Sequence, residues 1–173
     1  MNVFFPCKSV MGSVRSLDDS RLIKQILECK VLLDGAIAYK KGEKPSGYFK
    51  HPVAQHYKDY PELLLWYGYC CCLEYSTRFK YSGCHSYLLY FDNLLRQTDI
   101  SKIFKVSKDC PKIYVEGRKN TPQCIRETQE TKVYVLFKNK LKDKWQKDID
   151  KGRPPKWTNR GMPEWAKGER YGT

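Results

Sequence analysis

Leu22, Ile26, Cys29, Leu33 and Ile37 follow one another at steps of 4, 3, 4 and 4, in a stretch that runs on to Gly42 and Pro45. This is the period of one face of an α-helix. It commits the chain to a long helix over residues 16 to about 39, with Ser16 and Asp19 as a capping pair. Ile23, Leu27 and Val31 add apolar surface on other sides, so the helix is expected to be mostly buried. Arg21, Lys24 and Glu28, at i, i+3 and i+7, nevertheless draw one polar strip along it. Such a strip is either an exposed ion-pair row, worth a few tenths of a kcal/mol for Lys24 and Glu28 at i, i+4, or a functional notch.

Helical periodicity returns downstream. Residues 53–60 predict a short helix stopped by Pro61, and residues 62–79 an aromatic, almost continuously apolar one. A third covers 86–96, with Tyr87, Leu88, Phe91, Leu94 and Leu95 inward. The last, 131–150, carries Val133, Phe137, Leu141 and Trp145 at i+4 steps, surrounded by Lys138, Lys140, Lys142, Lys144 and Lys147. Residues 98–130 hold strand formers broken by Pro111, Gly117 and Pro122, which predicts irregular backbone. From Gly152 on, the chain is too rich in Pro and Gly for a helix. The expectation is an all-α fold, a single compact helical domain over residues 1–173 with a structured basic and aromatic C-terminal coil at about 152–173. A chain of 173 residues buries one sizeable core and not two.

Lys and Arg total 32 against 19 acidic residues, a net charge of +13, which calls for a polyanionic partner, nucleic acid first. The excess is uneven. Residues 1–101 are net +3 and residues 102–173 net +10. In the coil, Trp157 and Trp165 stand among Arg153, Lys156, Arg160 and Lys167 with no helical stripe to bury them, a composition suited to gripping phosphates and stacking on bases. No apolar run is long enough to span a membrane, and the opening residues break too early at Pro6 for a signal peptide, so an intracellular protein without a membrane partner is expected.

Eight cysteines lack any C-x-x-C pair. Cys70, Cys71 and Cys72 are contiguous, while Cys7, Cys29, Cys84, Cys110 and Cys124 stand alone, so free buried thiols are expected rather than disulfides or zinc. A P-loop, a G-x-S-x-G elbow, an H-E-x-x-H pair and a dense acidic cluster for two metal ions are all missing, which removes the common hydrolase and NTPase readings. Glu28-Cys29-Lys30 has the E-x-K form of some metal-dependent nucleases, but on a helix instead of a strand.

The stretch Leu17-Asp18-Asp19-Ser20-Arg21-Leu22-Ile23-Lys24-Gln25-Ile26-Leu27-Glu28, followed by Lys50-His51-Pro52, an aromatic helix, and the tail Arg153-Pro154-Pro155-Lys156-Trp157, resembles the pyrimidine-dimer DNA glycosylase family. The resemblance implies a base-excision enzyme with AP-lyase activity that needs no metal or other cofactor. Its partner would be double-stranded DNA carrying a damaged or modified base, most simply a cyclobutane pyrimidine dimer, and a monomer is expected. In that family the α-amine of the first residue attacks C1′ of the damaged nucleotide and a helical glutamate assists. Carried onto this chain, the glutamate is Glu28. The amine is that of Met1, or of Asn2 if Met1 is removed, and the size of Asn2 disfavours removal. Arg21, Lys24, Gln25, His51, Arg153, Lys156, Trp157 and Arg160 are the candidate DNA contacts. The chain departs from the family where arginines flank the glutamate, since Leu27 precedes Glu28 here, in an insertion around residues 40–46, and over 98–130. The alternatives are a non-catalytic nucleic-acid-binding module of the same fold and a glycosylase for another modified base.

Overall fold

The long stripe that opened the sequence reading becomes α2 (Asp19–Lys40) in a computed structural model that describes residues 3–45, 47–55, 57–80, 83–97 and 130–167. Around it stand α1 (Val10–Arg15), α3 (Pro52–Gln55), α4 (Pro61–Phe79), α5 (His85–Arg96) and α6 (Glu130–Ile149), with single 3-10 turns at Gly47–Lys50 and Glu164–Ala166. The described residues contain no strand, and the all-α expectation holds. Of the irregular stretch expected at 98–130, residues 98–129 lie outside the described residues, as does the end of the coil at 168–173, while Glu130 already opens α6.

The start of α2 differs from the expected one. Ser16 closes α1 instead of opening α2: its N–H reaches the last α1 carbonyls, and its hydroxyl donates to the Gly12 carbonyl at 2.9 Å. A helix of six residues is too short to leave a periodic signature, and α1 is visible only through its Ser9 N-cap, whose Oγ accepts from the Gly12 N–H at 3.0 Å. Asp18 occupies the N-cap of α2 but makes no side-chain capping bond. Its carboxylate takes stronger donors from Arg21 and Trp145.

A second correction concerns burial. Leu22, Ile26, Cys29, Leu32, Leu33 and Ala36 are in the core, but Ile23 and Leu27 are each 50% exposed. The helix packs along one side against α4, and the opposite side stays open.

Helix α4 is the hub on which α1, α2 and α5 pack. Its approach to α5 requires Gly68, because any Cβ there would overlap the ring of Phe91. Pro61, at the first turn of α4, lacks only an N–H that the helix would leave unpaired anyway. The N-terminal segment threads the core. Val3 and Phe5 are fully buried, the Val3 N–H donates to the Tyr57 hydroxyl at 3.2 Å, and the Tyr67 hydroxyl donates to the Phe4 carbonyl at 2.7 Å. The Phe5 ring meets Tyr67 and Phe137 edge-on, at centroid distances of 5.0 and 5.5 Å, and so joins α4 to α6.

Replacing Gly68 with Ala forces Phe91 off its site and lowers stability by about 1–3 kcal/mol, the usual cost of overpacking a close helix contact. Urea unfolding of the variant against wild type measures it, and an unchanged midpoint contradicts the packing described.

Candidate active site

The polar strip of α2 faces a cavity of about 350 Å³ lined by Phe4, Ser20, Arg21, Lys24, Gln25, Glu28, Lys144, Asp148 and Arg153. One wall is the N-terminal half of α2, the other the C-terminal end of α6, and Phe4 brings the N-terminal segment to the same space. Within it, Glu28 is only 8% exposed. Its Oε2 accepts from Gln25 Nε2 at 2.7 Å, and its Oε1 lies 3.8 Å from Lys24 Nζ. Burial raises the Glu28 pKa above the ordinary carboxylate value, while Lys24, the Gln25 hydrogen bond and Lys144 pull it back. The outcome is a carboxyl group held in one place that exchanges a proton closer to neutrality than a surface glutamate does.

The other strip residues have distinct tasks. Arg21 donates from Nη1 to Asp18 Oδ1 at 2.9 Å and from Nη2 to Asp148 Oδ2 at 2.7 Å. The guanidinium therefore bridges α2 and α6, and its hydrogen bond holds the Asp148 carboxyl below its usual range. Its task is to shape the cavity, with both terminal nitrogens turned to carboxylates rather than to phosphate. Lys24, 70% exposed along its side chain, lines the cavity and reaches into solvent. Lys144 and Arg153 line the space from the opposite side.

The coil after α6 is likewise divided. Arg153 and Lys156 border a second cavity of about 240 Å³ beside the first, along with Asp18, Asp19, Ser20, Asp148, Pro154 and Pro155. Trp157 and Trp165 have a structural task that composition alone did not reveal. Trp145, fully buried, stacks on Trp165 at 5.5 Å and meets Trp157 edge-on at 5.2 Å. The indole N–H groups of Trp157 and Trp165 reach the Ser16 carbonyl and hydroxyl. Arg160 is also engaged: it grips the buried carboxylate of Glu74 with two hydrogen bonds, 2.8 and 3.1 Å, in a network completed by Arg78. Charge that looked available to DNA is thus partly committed inside the protein.

His51 is exposed at the entry to α3, where its carbonyl accepts from the Ala54 and Gln55 N–H groups, and it does not line the cavity. Met1 and Asn2 lie outside the described residues. Lys144 and Asp148 were not singled out from the sequence. Their signal was present, since positions 144 and 148 share one face of α6 directly beside Trp145. Among the described residues, no three His, Cys, Asp or Glu side chains come together as a metal site. No helix among them is long and apolar enough to cross a membrane.

Among the described residues the fold is helical, and the site is a buried carboxyl, Glu28, in a cavity lined by Arg21, Lys24, Lys144 and Arg153. Residues 1–82 match the family model described as pyrimidine dimer DNA glycosylase, the family that the sequence resembles. No curated protein and no solved structure matches the chain. The matched part holds Glu28 and the α2 wall; the α6 wall and the coil lie beyond it. The match covers 82 of the 173 residues, and its similarity is to DNA glycosylases of pyrimidine dimers.

Two substitutions separate the assigned tasks. Lys24→Ala weakens DNA binding across sequences and lowers the salt slope of log K by about 1, as one lost phosphate contact does. Arg160→Ala costs about 1–3 kcal/mol of stability by stripping partners from buried Glu74, and changes DNA affinity less than about twofold. Fluorescence-anisotropy titrations at several salt concentrations, paired with denaturant melts, read both; the reverse assignment overturns this division.

Proposed function

We propose that the protein excises the damaged base of a cyclobutane pyrimidine dimer and then cuts the strand, through a Schiff base between the sugar and the chain's α-amine, assisted by Glu28. The observation that carries this reading is the buried carboxyl of Glu28 in a cation-lined cavity whose wall includes Phe4. In a chain that starts at Met1, only two residues precede Val3, and two residues span at most about 7 Å. The anchored segment from Val3 to Phe5 therefore keeps such an amine tethered close to the cavity. If Met1 is removed, Asn2 supplies the amine on a shorter tether.

The chemistry fits these groups. An α-amine has a reference pKa near 8, so roughly a tenth of it is the free nucleophile at neutral pH, far more than for a lysine. It attacks C1′, the glycosidic bond breaks, and the base leaves with the bonding electron pair and a proton. Ring opening gives an imine, which acidifies the 2′ proton. Transfer of that proton to a nearby base, Glu28 in this reading, forms the C1′–C2′ enamine system and expels the 3′ phosphate by β-elimination. Lys24, Lys144 and Arg153 neutralise the phosphates that must crowd the cavity mouth.

Adding borohydride during turnover reduces the imine and leaves a covalent protein–DNA adduct at the first residue, located by mass spectrometry. Prior acetylation of the N-terminus abolishes the adduct. A lesion-cutting protein that yields no adduct, or whose cutting needs a divalent metal, disproves the mechanism, and tight binding without cutting identifies a non-catalytic module.

Glu28→Gln lowers the excision rate by about 10²–10⁴, the range for a positioned acid or base, while DNA binding persists. Its stability moves the other way. A carboxyl whose folded pKa is raised stabilises the fold while protonated and loses that contribution as pH rises through the folded pKa. At pH 7 the variant is therefore at least as stable as wild type, and the difference fades as pH falls into the carboxylate range. Thermal melts across pH 4–8 check the sign.

A further inference from the structure

We infer that Gln25 is the positioning residue of the site: its amide holds one oxygen of Glu28, Oε2, and so fixes the other, Oε1, as the oxygen through which the carboxyl exchanges its proton. The inference rests on the proposed function, in which Glu28 receives the 2′ proton, and names the group that decides where that proton lands.

Gln25 and Glu28 stand at i and i+3 on α2 and line the same cavity. Gln25 is 2% exposed, and a buried amide has to find partners somewhere. One of them is the carboxyl assigned the proton transfer, with Gln25 Nε2 at 2.7 Å from Oε2. The direction of the bond follows from its partners, since a carboxylate only accepts and the amide NH2 is the only donor that a glutamine side chain offers. The second oxygen is left to the cavity. Lys24 Nζ stands 3.8 Å from Oε1, beyond hydrogen-bonding distance, so its charge attracts without occupying the oxygen.

Protonation then has one place to go. A hydrogen on Oε2 would meet the Nε2 hydrogen head-on, whereas a hydrogen on Oε1 leaves Oε2 as a carbonyl oxygen that still accepts from Gln25. The amide therefore serves both charge states of Glu28, and favours the ionised one because a hydrogen bond to a charge is the stronger. A neutral donor suits the position. The charged groups about Glu28 are Lys24 on its own helix, Lys144 and Asp148 on α6, Arg153 beyond it, Arg21 within its ion pairs, and the amino-terminal charge. Cys29, the adjoining thiol, is kept neutral by burial. One more cation at position 25 would hold Glu28 ionised, and a carboxylate there would trap a proton between the two groups. An amide fixes direction without adding charge.

The test uses the full chain as Gln25→Met, which keeps the length and loses the donor, and as Gln25→Glu, which keeps the shape and adds a charge. Single-turnover cutting of a duplex with a preformed abasic site, across about pH 5–9, reads the β-elimination step. Titration of ¹³C-labelled glutamate reads the Glu28 carboxyl with no substrate present. Removing the hydrogen bond raises the Glu28 midpoint, so the acidic limb of the rate moves to higher pH in Gln25→Met, and further in Gln25→Glu, where a like charge adds to the loss. At pH 7 the maximal rate falls about 10–100-fold while the half-saturating concentration changes less than about twofold, as for a misdirected reacting group. An acidic limb and a carboxyl midpoint that stay at wild-type values in both variants overturn the inference. Joined to weaker binding, that result marks Gln25 as a DNA contact; joined only to a lower melting temperature, it marks a packing residue. If the Met protein melts below the assay temperature, the isosteric Glu protein decides by itself. Failure of the proposed function reads differently: Glu28→Gln then cuts abasic DNA as fast as wild type, while the carboxyl titration still shows whether Gln25 governs Glu28.

Discussion

The carboxylate of Asp18, 1% exposed, accepts hydrogen bonds from Ser20 Oγ at 2.6 Å, Arg21 Nη1 at 2.9 Å and Trp145 Nε1 at 2.8 Å. Everything around the cavity depends on that knot. Trp145 fixes α6 against the start of α2, and Arg21 extends the link to Asp148, so the two walls are held at a set separation. The Trp145 ring in turn carries Trp157 and Trp165, and with them the path of the coil. A buried charge with three good donors is tolerated, while the same charge with one donor removed is severely destabilising, which makes this a brittle as well as a firm junction.

A second network, also at the start of α2, secures the coil. Arg78, fully buried, donates to Glu74, Asp19 and the carbonyls of Leu17 and Arg15. Thr158 and Asn159 of the coil close on Asp19 and on the Arg78 carbonyl, and the Asp19 N–H reaches back to the Lys156 carbonyl. The start of α2 is therefore clasped by the coil. Arginines at this level work as cross-links between elements, and the cations left facing outward near Glu28 are Lys24, Lys144 and Arg153. Within these networks Arg21, Arg78 and Arg160 are matched by Asp18, Asp19, Glu74 and Asp148, so the net positive charge of the chain lies outside them.

Much of the fold was legible because helical periods of 18 residues or more dominate it. Helices α2, α4 and α6 begin and end within a few residues of their apolar stripes. The parts that were not legible share a cause. Helix α1 is too brief to show a period, and Asp18 looks like a cap until Trp145, 127 residues away, claims its carboxylate. Glu28 stood out as a charge on an apolar helix, but Lys144 and Asp148 became part of the same site only once α6 was laid against α2. Trp157 and Arg160, drawn from composition as DNA contacts, turned out to face Trp145 and Glu74. A list of basic and aromatic residues cannot distinguish a side chain that meets a partner from one that meets its own fold.

The central claim is that burial raises the Glu28 pKa above the ordinary carboxylate value and that nearby cations temper the rise. Titrating the protein with ¹³C-labelled glutamate by NMR reads the Glu28 carboxyl directly. The account predicts a midpoint above that of the exposed glutamates, rising further in Lys24→Ala, where the nearest tempering charge is gone. A midpoint among the exposed glutamates, or one that falls when Lys24 is removed, contradicts it.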